Sequence, residues 1–262
     1  KAGLKHHVKI ISKQEFWDAL PDVMYHMDEP LGDASAVALY FLSKEAAGHV
    51  KVVLSGEGAD ELFGGYNIYR EPESLKKVAW IPFGVRRVIG KLAAKLPDVK
   101  GRDFLIRAGM KVEERFIGNA YIYREKEKAQ ILKNKVTGPS TQEYLRPFFK
   151  ELESENRGSL RDMEKMQSVD LRYWLPGDIL QKADKMSMAH SLEVRVPFLD
   201  KEVFDFAAKL PKEAKIAAGT TKYIFRKAVS EFIPQETDER KKLGFPIPIR
   251  VWLRQDDWYQ MV

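Results

Sequence analysis

A chain of 262 residues with 44% hydrophobic and 31% charged content can form one large domain or two small ones, and has the composition of an ordinary soluble globular protein. Its 44 Lys and Arg against 38 Asp and Glu leave a net charge of +6, but the basic residues are scattered among acidic ones, which indicates solvated helix faces rather than a nucleic-acid-binding stripe. The absence of cysteine excludes a disulfide framework, thiolate metal sites and a cysteine nucleophile within this sequence.

The chain opens on Lys1-Ala-Gly-Leu-Lys-His-His7, which lacks the apolar stretch of a secretory signal. No later apolar run reaches the roughly 18 residues of a membrane span, so the cytosol is the expected compartment. With Lys rather than Met in first place, the sequence reads as a piece of something longer. Ser12-Lys-Gln-Glu15 has capping-box spacing, and Phe16, Leu20, Val23, Met24 and Met27 recur at three and four, which predicts one amphipathic helix ending before Pro30. After the turn Pro30-Leu-Gly-Asp33, a second helix is predicted from Ala34 to Ala47, stopped by Gly48. Val50-Lys-Val-Val-Leu54 then reads as a short buried strand.

That strand runs into Ser55-Gly-Glu-Gly-Ala-Asp-Glu-Leu-Phe-Gly-Gly-Tyr66, where two glycine pairs frame a short helical stretch. From about residue 72 to 230 the pattern is mostly helical, with boundaries expected near Pro82, Pro97, Gly138-Pro139, Pro176-Gly177, Pro197 and Pro211. Near the end, the two prolines of Gly244-Phe-Pro-Ile-Pro-Ile249 hold the chain extended, as a rigid loop suited to a lid. The histidines His6, His7, His26, His49 and His190 show no metal-ligand spacing and read as exposed or packing residues.

Two stretches carry candidate chemistry. In an open α/β sheet, ligands sit beyond the carboxyl ends of strands, where a glycine-rich turn enters a helix whose free N–H groups attract phosphate. Ser55-Gly56-Glu57-Gly58 occupies such a place: glycine lets the backbone approach a nucleotide, and Ser55 adds a hydroxyl. Glu57, Asp60 and Glu61 follow at spacings that gather them on one side of a helical turn, a crowding relieved when a cation such as Mg²⁺ is shared. Taken alone, this loop reads more readily as a solvated acidic turn with glycine caps. The second stretch, Asp178 to Asp200, places Lys182 and Lys185 on one helical face where a lysine could meet phosphate. Its blander reading has both lysines on the surface, Met186 and Met188 filling a core, and Glu193 with Arg195 and Arg195 with Asp200 forming structural ion pairs.

Read together, these strings closely resemble the asparagine synthetase family. Val52-Val-Leu-Ser-Gly-Glu-Gly-Ala-Asp-Glu-Leu-Phe-Gly-Gly-Tyr66 looks like that family's second signature, and Met27-Asp-Glu-Pro30, Leu180 to Asp200 and the Gly244-Phe-Pro-Ile-Pro248 loop extend the match. The resemblance implies an α/β fold: a pyrophosphatase-type ATP-binding sheet of the adenine-nucleotide alpha-hydrolase kind, helices on both faces, and a mostly helical C-terminal part. On that reading about 1–70 is the nucleotide-binding portion and about 71–262 the helical one.

Further implications follow from the resemblance. The family's N-terminal glutaminase domain, with its cysteine nucleophile, and its first ATP loop, Ser-Gly-Gly-x-Asp-Ser, are not in this sequence, and both ends look trimmed. The implied activity is ATP-dependent amidation of L-aspartate, with ATP and Mg²⁺ as cofactors, ammonia from glutamine, the parent's glutaminase domain as partner, and room for a homodimer; the chain alone would bind ATP weakly. Leu54, Ser55, Gly56 and Gly58 would contact the nucleotide, Glu57 would be the catalytic carboxylate, Asp60 and Glu61 would hold Mg²⁺, and Lys185 or Lys182 would neutralise phosphoryl charge. At Gly32-Asp-Ala-Ser35 the sequence departs from the Asp-Pro-Ser of many relatives, leaving Asp33 as a weakly supported aspartate-side residue. A paralogue adenylating another carboxylate and a non-enzymatic interaction module are the rival readings.

Overall fold

The structure, a computed structural model, describes residues 3, 5–29, 32–119, 123, 125–133, 138–156, 160–238 and 247–255. The chain divides into two compact units: Lys1–Ala59 with Pro176–Lys209 and Ile224–Val262, and Asp60–Leu175 with Leu210–Tyr223. These units cut across the division anticipated near residue 70, because the segment after Pro176 returns to pair with the N-terminal part. No helix among the described residues is long and apolar enough to cross a membrane.

In the first unit the capping box forms as predicted: the Ser12 hydroxyl accepts from the Glu15 amide and the Glu15 carboxylate accepts from the Ser12 amide. The single helix expected next is two, α1 (Lys13–Asp18) and α2 (Leu20–Met27). The interruption at Ala19 precedes Pro21, which has no N–H to give to the carbonyl four residues back. Phe16, Ala19, Val23 and Met27 are buried as the periodicity requires, Leu20 is half-buried, and Met24 points outward, off the apolar stripe. Helix α3 (Ser35–Ala47) ends at Gly48 and supplies Ala36 and Val37 to the same core. The turn at Pro30-Leu31 lies outside the described residues.

Strand β1 (Val52–Leu54) is shorter than Val50–Leu54 and is not buried: Val52 and Leu54 are exposed. It pairs in parallel with β2 (Glu193–Arg195), Val53 opposite Val194, and β2 is its one ladder partner among the described residues, which leaves the other edge and much of its surface open. A parallel pair needs a crossover, and the last element of that crossover is the helix Gln181–Met188, which packs on α2, α3 and β2 and drives Met186 into their core, while Met188 stays outside. At the other end of the chain, Ile247 and Pro248 lead into the helix Ile249–Trp252, and Trp252 meets Phe16 edge-on at 5.3 Å. Gly244 to Pro246, the first half of the anticipated lid, lie outside the described residues.

The second unit is helical, built on Tyr69, Val112, Phe116, Leu145, Phe149, Met163, Met166 and Val169. The helices Phe83–Ala93 and Arg102–Ala108 lie against each other because Gly90 and Gly109 leave room: a Cβ on Gly109 would stand 2.6 Å from the Arg86 carbonyl oxygen. Proline punctuates much as expected, with Pro82 and Pro211 at helix N-caps and Pro197 opening a 3₁₀ turn. Two prolines lie within helices instead, Pro147 inside Thr141–Glu155 and Pro176. Pro176 lies inside a π-helical stretch, Asp170–Leu180, whose wider i→i+5 winding passes a proline that regular α geometry would drive against the carbonyl four residues back.

Candidate functional site

The loop after β1 continues the parallel ladder, with the Ser55 amide donating to the Arg195 carbonyl at 2.9 Å. It then turns through Gly58, whose φ of +86° belongs to the left-handed region. A Cβ there would lie 2.3 Å from Leu199 Cδ2, so Gly58 is required both by its backbone angle and by the side chain that follows β2. Glu57 is half-buried and its Oε2 is fully shielded from solvent, without a hydrogen-bond partner among the described residues. An orphaned carboxylate oxygen is costly, and marks a place where a cation or a proton donor belongs. The helix that follows, α4 (Ala59–Phe63), has only five residues, so little macrodipole is on offer.

The three carboxylates read as one acidic face take different surroundings. In the second unit, Asp60 is half-buried and Lys222 Nζ stands 3.0 Å from its Oδ1; Gly65 is tight against the pair, since a Cβ there would fall 1.7 Å from Asp60 Oδ1 and 2.4 Å from Lys222 Cε. Glu61 is turned inward at 1% exposure. It accepts the Tyr66 hydroxyl at 2.6 Å, and Tyr66 in turn accepts from Trp174 Nε1 at 3.2 Å. Burial first, and the Glu61 charge second, push the Tyr66 hydroxyl far above its ordinary range, so it remains a donor to Glu61. That inward turn is at odds with the metal-ligand role anticipated for Glu61.

The two lysines of the helix Gln181–Met188 also part company. Lys182 is buried between two carboxylates, hydrogen-bonded to Asp33 and, at 2.9 Å, to Asp178. Burial opposes its charge, but the hydrogen bonds and charges of Asp33 and Asp178 outweigh it and hold the ammonium above the usual lysine range. Asp178 is lifted, chiefly by burial, against the pull of Lys182. Asp33 is lowered despite its burial, because Lys182 and the Ser35 amide, the latter at 2.9 Å, donate to it. Lys185 is exposed and pairs with Asp28, whose φ of 62° makes it a left-handed cap on α2. Downstream, Glu193 and Arg195 form the anticipated pair at 2.8 Å, whereas Asp200 takes no part with Arg195 and accepts the Glu202 amide instead.

Ser55, Gly56 and Gly58 thus follow the carboxyl end of β1, and Leu54, the last strand residue, is 73% exposed there. Asp178, Asp28 and Lys222 are the partners that motif reading left without a role. The four-residue spacing of Asp178 and Lys182 on a helical pattern was a usable signal. Asp28 and Lys222 join their partners from far along the chain, where no spacing rule reaches.

The chain matches the family described as Asparagine synthase over residues 1–262. It is 48% identical over 263 residues to asparagine synthetase [glutamine-hydrolyzing] 1 of Bacillus subtilis, covering 99% of this chain and 41% of that protein. A Mycobacterium tuberculosis protein provisionally named as a glutamine-hydrolysing asparagine synthetase is 46% identical over 253 residues, 96% of this chain and 38% of its own length. Asparagine synthetase [glutamine-hydrolyzing] 3 of Bacillus subtilis is 27% identical over 246 residues, 93% of this chain and 34% of the relative. The chain therefore spans about two fifths or less of the length of these relatives.

Proposed function

The chain belongs to the asparagine synthase family, and on that premise we propose that it is the ATP-using part of an enzyme converting L-aspartate to L-asparagine, with ammonia delivered by glutamine hydrolysis in a domain outside this sequence. The observation that carries the reading is Glu57: a carboxylate inside the signature stretch whose buried Oε2 has no hydrogen-bond partner among the described residues. On this reading the sheet is the open edge of a pyrophosphatase-type nucleotide-binding fold.

A carboxylate and ammonia do not condense in water because oxide is a poor leaving group, so the acid is first made into a mixed anhydride. The β-carboxylate of aspartate attacks the α-phosphorus of ATP, pyrophosphate leaves, and ammonia then attacks the β-aspartyl-AMP carbonyl to expel AMP. Leu54, Ser55, Gly56 and Gly58 line the nucleotide, with the loop amides and the Ser55 hydroxyl binding its oxygens. Glu57 takes the proton from the attacking nitrogen. Lys182 supplies positive charge to the phosphoryl oxygens; Asp33 and Asp178 hold its ammonium charged and fixed, which favours it over the exposed Lys185. Asp60 offers hard oxygen donors of the kind Mg²⁺ takes, and it already attracts a cationic side chain, Lys222. When bound, Mg²⁺ would neutralise the leaving pyrophosphate. Glu61, committed to Tyr66, is left out of that role.

The test is aspartate-dependent pyrophosphate release from ATP and Mg²⁺ by the intact protein beside a Glu57→Gln variant. Release that needs aspartate and drops by at least ~100-fold in the variant is the expected result. Release with another carboxylate but not aspartate would place the protein among paralogous adenylating enzymes, and unchanged release by Glu57→Gln would remove the role assigned to that residue.

A further inference from the structure

Away from the loop after β1, the first unit gathers two imidazoles and a carboxylate, Glu45 and His49 at helical spacing and His7 from far earlier in the chain. Glu45 lies in the last turn of α3, and His49 follows just past Gly48, its amide donating to the Ala46 carbonyl at 2.9 Å. His7 arrives from the N-terminal segment. His49 Nε2 stands 3.4 Å from Glu45 Oε1 and His7 Nδ1 stands 4.0 Å from the same oxygen, and one ligand atom from each of the three residues lies within 4.8 Å of the others. The two rings are tilted against each other, with centroids 4.2 Å apart and planes inclined by 52°.

The spacing has a chemical meaning. A tetrahedral Zn²⁺ with bonds of about 2.0–2.1 Å keeps its ligand atoms roughly 3.4 Å apart, so rotamer adjustments of up to about an ångström per side chain would bring this trio onto one ion. Two neutral imidazoles and a carboxylate are a donor set for late first-row divalent ions rather than for Mg²⁺ or Ca²⁺, which take oxygen ligands. Each of the three side chains is a third to a half exposed, so the ion has an entry path and room for a water in its fourth position.

We propose that His7, Glu45 and His49 form a three-ligand site for a Zn²⁺-class ion that fastens the N-terminal segment to the end of α3. The site does not depend on the amidation reading: it shares no residue with the nucleotide loop or with the Lys182 cluster. Its geometry is that of a surface clip, and its consequence is ordering of the segment around His7.

The experiment is Zn²⁺ titration of the intact protein by calorimetry in excess Mg²⁺, which occupies hard oxygen sites, beside His7→Ala and His49→Ala variants checked for unchanged far-ultraviolet circular dichroism. Each variant should lose the same single equivalent or weaken it by at least ~10-fold, the loss expected even for indirect partners of a metal. Protease cleavage near His7 should slow with Zn²⁺ in the unmodified protein and not in either variant. A Zn²⁺ isotherm unchanged by either substitution, or one altered by His49→Ala and indifferent to His7→Ala, would overturn the three-ligand site, as would absence of a Zn²⁺ site in the unmodified protein.

Discussion

Substituting Lys182 by Met keeps the length of the side chain and removes its charge, and the structure says what that leaves behind. Asp178 is buried, Asp33 is 30% exposed along its side chain, and both donate nothing to each other while ionised. Removing one partner from a buried ion pair costs roughly 3–5 kcal/mol, and the partial exposure of Asp33 places the expected loss near the lower end, at ~3 kcal/mol at pH 7. The pH dependence follows from the signs. Lys182 is held above its usual range, so in the unmodified protein its contribution is complete below the unfolded lysine pKa and fades only as pH rises through the folded one. In Lys182→Met the penalty belongs to the carboxylates. Asp178, already lifted by burial, loses the partner that restrained it, so the penalty is present at neutral pH and shrinks as pH falls toward the ordinary aspartate value near 4. Adding Asp178→Asn should restore more than half of the lost stability without restoring pyrophosphate release, because it relieves the orphaned charge but not the missing cation. Urea unfolding at pH 5 and pH 7 of the two single variants and the double variant measures each term. A Lys182→Met loss below ~1 kcal/mol, or an Asp178→Asn change that adds independently, would refute the buried-triad account.

Asp170 gives a second, separate pH signature. Burial pushes its carboxyl up to about 7 against the hydrogen bonds it accepts from Tyr69 and Asn119. Because the folded value lies above the unfolded one, stability should fall as pH rises from about 4 to about 7, by as much as ~4 kcal/mol, and level off above that. Asp170→Asn should flatten this slope in melting temperatures taken across that window; an unchanged slope would count against the assignment. Gly58→Ala meets two obstacles, a left-handed φ worth ~1–2 kcal/mol and a clash with Leu199 worth a further ~1–3 kcal/mol. Leu199→Ala in the same chain should recover only the steric part in urea unfolding, and full recovery would show that the φ requirement had been overstated.

What local chemistry dictates was legible. The capping box at Ser12 and Glu15, the glycine stop after Ala47, the strand that ends in a glycine-rich loop and the helical turn inside that loop all depend on contacts within a few residues. Where local reasoning failed, a longer-range term decided. The apolar run around Val53 predicts burial only if both faces of its sheet are covered, and here Val52 and Leu54 are exposed, with β2 the one ladder partner among the described residues. Pro176 predicts a helix end only where winding is α, and here it is π.

The candidate site divides along the same line. Composition and spacing single out Glu57, Asp60, Glu61, Lys182 and Lys185 as candidates for a phosphate site, but spacing cannot say which way each one faces. The choice between Lys182 and Lys185, open in the sequence, turns on partners more than a hundred residues away: Asp33 for one and Asp28 for the other. An exposed pair such as Lys185 with Asp28 is worth little and can rearrange around solvent. A buried ammonium held by two carboxylates cannot move without leaving a charge unpaired, and a fixed charge is what stabilises a developing one elsewhere. The same reasoning separates Glu57 from Glu61. Both are carboxylates of one signature stretch, yet Glu61 is buried and accepts the Tyr66 hydroxyl, while Glu57 keeps a shielded oxygen with no hydrogen-bond partner among the described residues.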